Sequence, residues 1–174
     1  LVERSDIFVV DAETGRETRI TGGSRAVFHA PAWLPDGRSV AAIGNRLPAG
    51  GGSRGDLWVF AADGSDAGAD GGRNLTGRHD LMLGAGMASD VTPGEGARLR
   101  IDAGGRWISF IAPDRGSAEL WRAAVDDGRV ERLTEGRHAI SSFDQARIAG
   151  ATRFALVRSD ATRLSEIEVL DVPD

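Results

Sequence analysis

Apolar residues come in short runs separated by polar, glycine-rich breaks, and three phrases recur in a fixed order. An acidic residue opens an apolar run at Asp6-Ile7-Phe8-Val9-Val10, Asp56-Leu57-Trp58-Val59-Phe60, Glu119-Leu120-Trp121-Arg122-Ala123 and Glu166-Ile167-Glu168-Val169-Leu170. Runs of this length bounded by turn residues predict strands. Downstream of the first three, a short polar strand ends in an apolar-Thr pair at Ile20-Thr21, Leu75-Thr76 and Leu133-Thr134, spaced by 55 and then 58 residues. That spacing is the repeat length. The third phrase is a turn feeding an apolar strand, clearest in Pro31-Ala32-Trp33-Leu34-Pro35-Asp36-Gly37-Arg38-Ser39-Val40-Ala41-Ala42-Ile43 and fainter from Asp102 to Ile111 and from Ile148 to Val157, where the turn glycine is read as replaced.

Each unit therefore predicts four antiparallel strands, with hairpin turns at Thr14-Gly15, Asp63-Gly64 and Asp127-Gly128 joining the third strand to the fourth. Val40 to Ile43 and Leu57 to Phe60 are apolar at consecutive positions, as in a strand covered on both faces. Val130-Glu131-Arg132-Leu133 alternates and carries charge, as an outer edge strand does. The expected fold is all-β, a partial β-propeller of about three to three and a half four-stranded antiparallel blades. The blade boundaries fall at 1–24 (end of one blade), 25–77, 78–136 and 137–174 (incomplete). A closed ring needs about four to eight blades, so sequence is expected beyond both ends. A β-sandwich is the plainer alternative.

The chain has 174 residues, 41% apolar and 27% charged, which suits one globular domain. Its 24 glycines against 6 prolines favour many tight turns over long helices. All 21 basic residues are arginine, the mark of a GC-rich, bacterial genome rather than of a function. Net charge is -5 and the arginines are scattered among acids, which argues against a nucleic-acid partner. With no cysteine there is neither a disulfide nor a thiolate nucleophile, and no cofactor or metal is expected. No apolar run approaches the roughly 18 residues of a membrane span. Leu1 leads straight into Val2-Glu3-Arg4-Ser5-Asp6 without a basic and apolar leader, as in an internal segment or processed product. The expected location is the cytoplasm, with the periplasm or secretion as the alternative.

Pro31 to Arg38 resembles the Pro-x-Trp-Ser-Pro-Asp-Gly-Lys/Arg signature of TolB-like, WD-like propeller repeats, with Leu34 in the serine position. Gly55-Asp56-Leu57-Trp58, Asn74-Leu75-Thr76, Gly77-Arg78-His79-Asp80 and Ser89-Asp90 resemble the N-terminal propeller of prolyl oligopeptidase family serine peptidases, acylaminoacyl-peptidase-like members in particular. The resemblance implies a parent hydrolase in which this segment, itself without catalysis, caps an α/β-hydrolase domain and gates access of short or acylated peptides. Its partner would be that domain of the same polypeptide, or another copy closing the ring. The alternative is an envelope binding propeller with no enzymatic domain.

No residue is assigned a catalytic role. Gly51-Gly52-Ser53-Arg54-Gly55 matches the nucleophile-elbow pattern, but Leu47-Pro48-Ala49-Gly50 precedes it and a strand follows, whereas an elbow needs a strand before and a helix after. His29 precedes a strand and His138 follows an outer one, positions of structural or solvated histidines. Residues 77–96 form the longest irregular stretch, so Arg78, His79, Asp80, Ser89 and Asp90 are the candidates for lining a substrate route, an arginine to pair a peptide carboxylate and acids to pair an amine. A surface crossover is the plainer reading of the same stretch. Asp63, Asp66 and Asp70 lack the spacing of a calcium loop and fit a lengthened hairpin tip, and Asn74-Leu75-Thr76 is a formal glycosylation sequon lying in a strand.

Overall fold

The computed structural model describes residues 4–22, 26–46, 54–68, 71–84 and 97–173. The described regular structure is all strand: β1 (Phe8–Val10), β2 (Glu17–Arg19), β3 (Ala26–Trp33), β4 (Ser39–Arg46), β5 (Asp56–Ala61), β6 (Arg73–Asn74), β7 (Arg100–Ile101), β8 (Trp107–Asp114), β9 (Ser117–Ala124), β10 (Val130–Arg132), β11 (Ala139–Ile148), β12 (Ala151–Ser159) and β13 (Glu166–Pro173). Neighbours in sequence pair antiparallel. β1 and β2 form a ribbon, β3 to β6 a four-stranded sheet, β7 to β10 a second such ladder, and β11 to β13 a three-stranded one. A single parallel bridge, Ala139 to Ala118, ties the last ladder to its predecessor. A parallel bridge from Val27 to Ser5 and an antiparallel one from Leu83 to Gly55 make the other two junctions.

The repeated phrases now have a physical meaning. In β4 and β5 every position from Val40 to Gly44 and from Leu57 to Phe60 is buried, because a sheet lies against each face. Leu57, Ile43 and Ala41 meet Ile108, Phe110 and Ala112 in one core, while Trp58, Phe60, Val40 and Ala42 join Phe28, Ile7 and Ile20 in another. A third core holds Leu120, Ile140, Phe143, Phe154 and Leu156. Burying one such side chain stabilises by about 1.5–3 kcal/mol relative to leaving it in water, so the three inter-sheet cores dominate the fold.

The threonine of each apolar-Thr pair closes the outer strand onto the acidic phrase. Thr21, Thr76 and Thr134 accept from the amides of Ile7, Leu57 and Leu120, each at 2.9 Å. Thr21 then donates to Asp6 (3.0 Å) and Thr134 to Glu119 (2.6 Å). The middle repeat differs: Asp56 instead accepts from the Asn74 side-chain amide at 2.9 Å.

Gly15, Gly64 and Gly128 all take positive φ, 70°, 75° and 73°, at the three hairpins expected to need it. Gly64 and Gly128 also seat against the preceding sheet, where an added Cβ would stand 2.9 Å from the Arg19 carbonyl and 2.8 Å from the Leu75 carbonyl. Two expectations need correction. The turn glycine between β11 and β12 is not lost: Ala149 (φ 48°) and Gly150 (φ 83°) build a two-residue turn whose left-handed conformations suit a tight hairpin. His29 does not precede a strand but lies within β3, opposite Ile43.

The ends of the structure differ from its middle. The residue after the acid is 8% exposed at Ile7 and 0% at Leu57 and Leu120, but 78% at Ile167. Two positions on, Val59 is 8% exposed and Val169 is 64%. At the other end the opposite face is open, with Phe8 at 50% where Trp58 has 8%.

Candidate functional site

Asn74 turns the chain out of β6, its Oδ1 accepting from the amides of Thr76 (3.1 Å) and Gly77 (2.7 Å). The His79 amide then donates to the Thr76 carbonyl at 2.8 Å, and the Leu83 amide returns to the Gly55 carbonyl at 2.9 Å. Leu81 and Leu83 anchor this crossover in the core between the two four-stranded ladders. Arg78 and Asp80 are exposed and His79 half-buried. The structure thus places these three candidates together on one turn, while Ser89, Asp90 and the Ser53 of the elbow-like pattern lie outside the described residues.

Arg54 organises the turn. Its guanidinium donates to the Gly77 carbonyl at 2.7 Å and ion-pairs with Asp56 at 3.3 Å and Asp80 at 3.6 Å. Surface pairs of this kind contribute at most about 1 kcal/mol, so the group positions the crossover, with Arg78 exposed and His79 half-buried beside it. In the sequence Arg54 stands out only as a neighbour of Ser53 in the elbow-like pattern.

A second group is buried where β9 meets β11. Glu119, 1% exposed, receives Thr134 on one oxygen and the Gly136 amide (3.1 Å) on the other. His138 Nε2 stands 2.9 Å from Glu119 Oε2, but off the line of a directed hydrogen bond. Ser117 is close by, yet its hydroxyl donates to the Gly136 carbonyl at 2.7 Å. Serine, histidine and carboxylate are therefore in one place without the chain of proton acceptors that activates a nucleophile. The set fastens the 134–138 segment beside the Ala118 to Ala139 bridge. His138, expected to be structural or solvated, is 9% exposed and stands against Glu119. In the sequence Gly136-Arg137-His138 follows Thr134 much as Gly77-Arg78-His79 follows Thr76, but the pairing with Glu119 has no local mark.

The remaining histidine, His29, is crowded by the crossover: a Cβ on Gly84 would sit 2.9 Å from its ring. That cover lowers its pKa below the ordinary 6.5 by desolvation. A third feature is a cleft of about 210 Å³ between the β7–β8 turn and the β11–β12 hairpin. Among the described residues no three His, Cys, Asp or Glu side chains converge as metal ligands do, and no helix is long and apolar enough to cross a membrane.

The succession of four-stranded antiparallel ladders, stacked face to face and joined third strand to first, matches known structures. Over 97% of its length the chain superposes on Pyrococcus horikoshii acylaminoacyl peptidase with TM-score 0.61 and 18% identity, covering 22% of that chain. Over 95% it superposes on TolB from Acinetobacter baumannii with TM-score 0.59 and 16% identity, covering 35% of that chain. The fold is a partial β-propeller. Its ladders are blades, and among the described residues none of its sheets closes into a ring. In sequence it is 25% identical over 137 residues to an uncharacterised protein of Agrobacterium fabrum, a match covering 78% of this chain and 37% of that one. The chain thus spans well under half the length of each of these three proteins. No protein-family profile matches the sequence.

Proposed function

We propose that this partial propeller is the non-catalytic cap of a serine peptidase, gating access of short or acylated peptides to an α/β-hydrolase domain carried by the same polypeptide, in the cytoplasm. The observation that carries this reading is the likeness of nearly the whole chain to the propeller part of an acylaminoacyl peptidase, more than three-quarters of which lies outside the match. The Ser117, Glu119 and His138 set agrees with a cap that does no chemistry, because its hydroxyl is committed to a carbonyl. The exposed turn bearing Arg78, His79 and Asp80 is the part of the cap suited to meet peptide termini by charge. An envelope binding propeller of the TolB kind is the second reading, favoured by the comparable likeness to TolB.

The two are separated by expressing the complete reading frame beside residues 1–174 and treating both with a fluorophosphonate probe and an N-acetylalanine anilide. The peptidase reading expects labelling and hydrolysis from the complete polypeptide and neither from residues 1–174. A complete polypeptide that neither labels nor hydrolyses the anilide, and that carries a secretion signal, would replace the cap with the binding propeller.

A further inference from the structure

The junction between the first two complete blades and the one that follows are built differently. At the first, the β3–β4 turn reaches across: Pro35 Cδ stands 3.4 Å from where a Cβ on Gly105 would be, so the two inner turns touch. At the second, the β11–β12 turn is the short Ala149-Gly150 pair, and a Cβ on Gly150 would meet nothing within 4 Å. The cleft opens at this second junction, where the longer turn is missing.

Its walls divide by chemistry. Ala103 supplies apolar surface, while Asp102, Gln145, Arg147 and Thr152 supply polar groups; Ile101, whose register partner Ile108 lies in the core on the other face of its ladder, and Ala146, which alternates with Gln145 and Arg147, contribute backbone. Gln145 pairs in register with Phe154, whose ring is buried in the core against β9, so its side chain shares the face turned toward the preceding blade. The Gln145 Oε1 is buried and meets no hydrogen-bond donor among the described residues. A buried acceptor left unmet is costly, and such atoms in a folded protein call for a donor that the chain itself does not supply. Asp102 beside it accepts from the Trp107 amide at 2.7 Å, which fixes the carboxylate at the mouth. Thr152 and Arg147 are partners across the β11–β12 ladder and face the same way.

We propose that this cleft binds an α-ammonium group next to a small apolar side chain, as presented by a free amino acid such as alanine or by the first residue of a peptide. The ammonium supplies the donor that Gln145 Oε1 lacks and is held by the Asp102 charge. The carboxylate or carbonyl that follows accepts from the Thr152 hydroxyl and the Arg147 guanidinium. The side chain rests on Ala103 and on the backbone of Ile101 and Ala146. At about 210 Å³ the space is below the roughly 300 Å³ at which pockets for larger ligands begin, so it takes one residue and not a folded partner. This inference stands apart from the peptidase reading, since it concerns binding by residues 1–174 themselves.

The test is an NMR titration of the isotope-labelled chain with L-alanine, L-alanylglycine and N-acetyl-L-alanine. Saturable shifts of the Gln145 side-chain amide and the Ala103 and Ala146 backbone amides are expected with the first two, with Kd on the order of millimolar. Whichever of the two binds more tightly identifies a free amino acid or a peptide amino terminus as the source. N-acetyl-L-alanine, with no ammonium, is expected to leave the resonances unmoved. Gln145→Met keeps the side-chain length, removes the unmet acceptor, and is expected to weaken binding at least tenfold with no fall in thermal midpoint. The proposal is overturned by absence of saturable shifts, by equal response to N-acetyl-L-alanine, or by unchanged binding in a folded Gln145→Met variant.

Discussion

β9 and β13 start from the same phrase, an acid followed by alternating bulky apolar residues, and end in opposite surroundings. In β9, Glu119 and Leu120 are almost wholly buried, with β8 and β10 on its two edges and sheets over both faces. In β13, Ile167 and Val169 point into solvent, and only Leu170 and Val172 on the other face pack against the core. A local pattern of apolar residues decides that a strand forms. The sheet standing next to it decides how much that strand contributes.

This comparison can be broken most forcefully at the middle junctions. Phe110 is fully buried between two blades, so Phe110→Ala is expected to cost about 3–5 kcal/mol, read as a large drop in urea midpoint. Ile167→Ala, on the open face of β13, is expected to stay within about 0.5 kcal/mol of the parent. Equal losses at the two sites would mean that the last sheet is covered in solution.

The next largest effect belongs to the threonine clasp. Thr134→Val keeps the shape but leaves the Leu120 amide without its acceptor and Glu119 without its closest donor, an expected loss of about 1–3 kcal/mol. Thr21→Val is the matching change near the open ribbon, and it sharpens the comparison if its loss is the smaller of the two.

The smallest effect is electrostatic. The Arg100 guanidinium, 2.7 Å from Asp144, holds that carboxyl below its ordinary 3.8, with help from the Gln145 amide. A lowered folded pKa means a contribution that is present above pH 3.8 and lost as pH falls through the folded value. The pair is solvent-exposed and tethers β7 to β11, so acid should loosen the last blade only slightly. Asp144→Asn is expected to flatten the small fall in urea midpoint between pH 5 and pH 3, and an unchanged fall assigns the acid response to other carboxylates.

Much of this architecture was legible because it rests on local rules. Glycines 15, 64 and 128 stand where a hairpin needs positive φ, and two-faced apolar runs mark the sandwiched strands β4 and β5. The recurring threonines were visible as a pattern, but their reason was not, since the hydrogen bonds to Ile7, Leu57 and Leu120 span 14 to 19 residues. The candidate site was less legible. Arg78, His79 and Asp80 do share one turn, yet the residue that organises it, Arg54, gives no signal until Gly77 is folded back beside it. The partnership of His138 with Glu119 and the cleft beneath the Ala149-Gly150 turn both arise between blades. Neither is written in any one segment.

The most direct test of the central claim, a propeller arc with sandwiched inner blades and open faces at both ends, is site-resolved hydrogen exchange on residues 1–174. The account predicts that amides of β4, β5, β8 and β9 exchange only through the most global opening, while those of β1 and β13 exchange through far smaller local ones. Protection of β13 equal to that of β9 would contradict it.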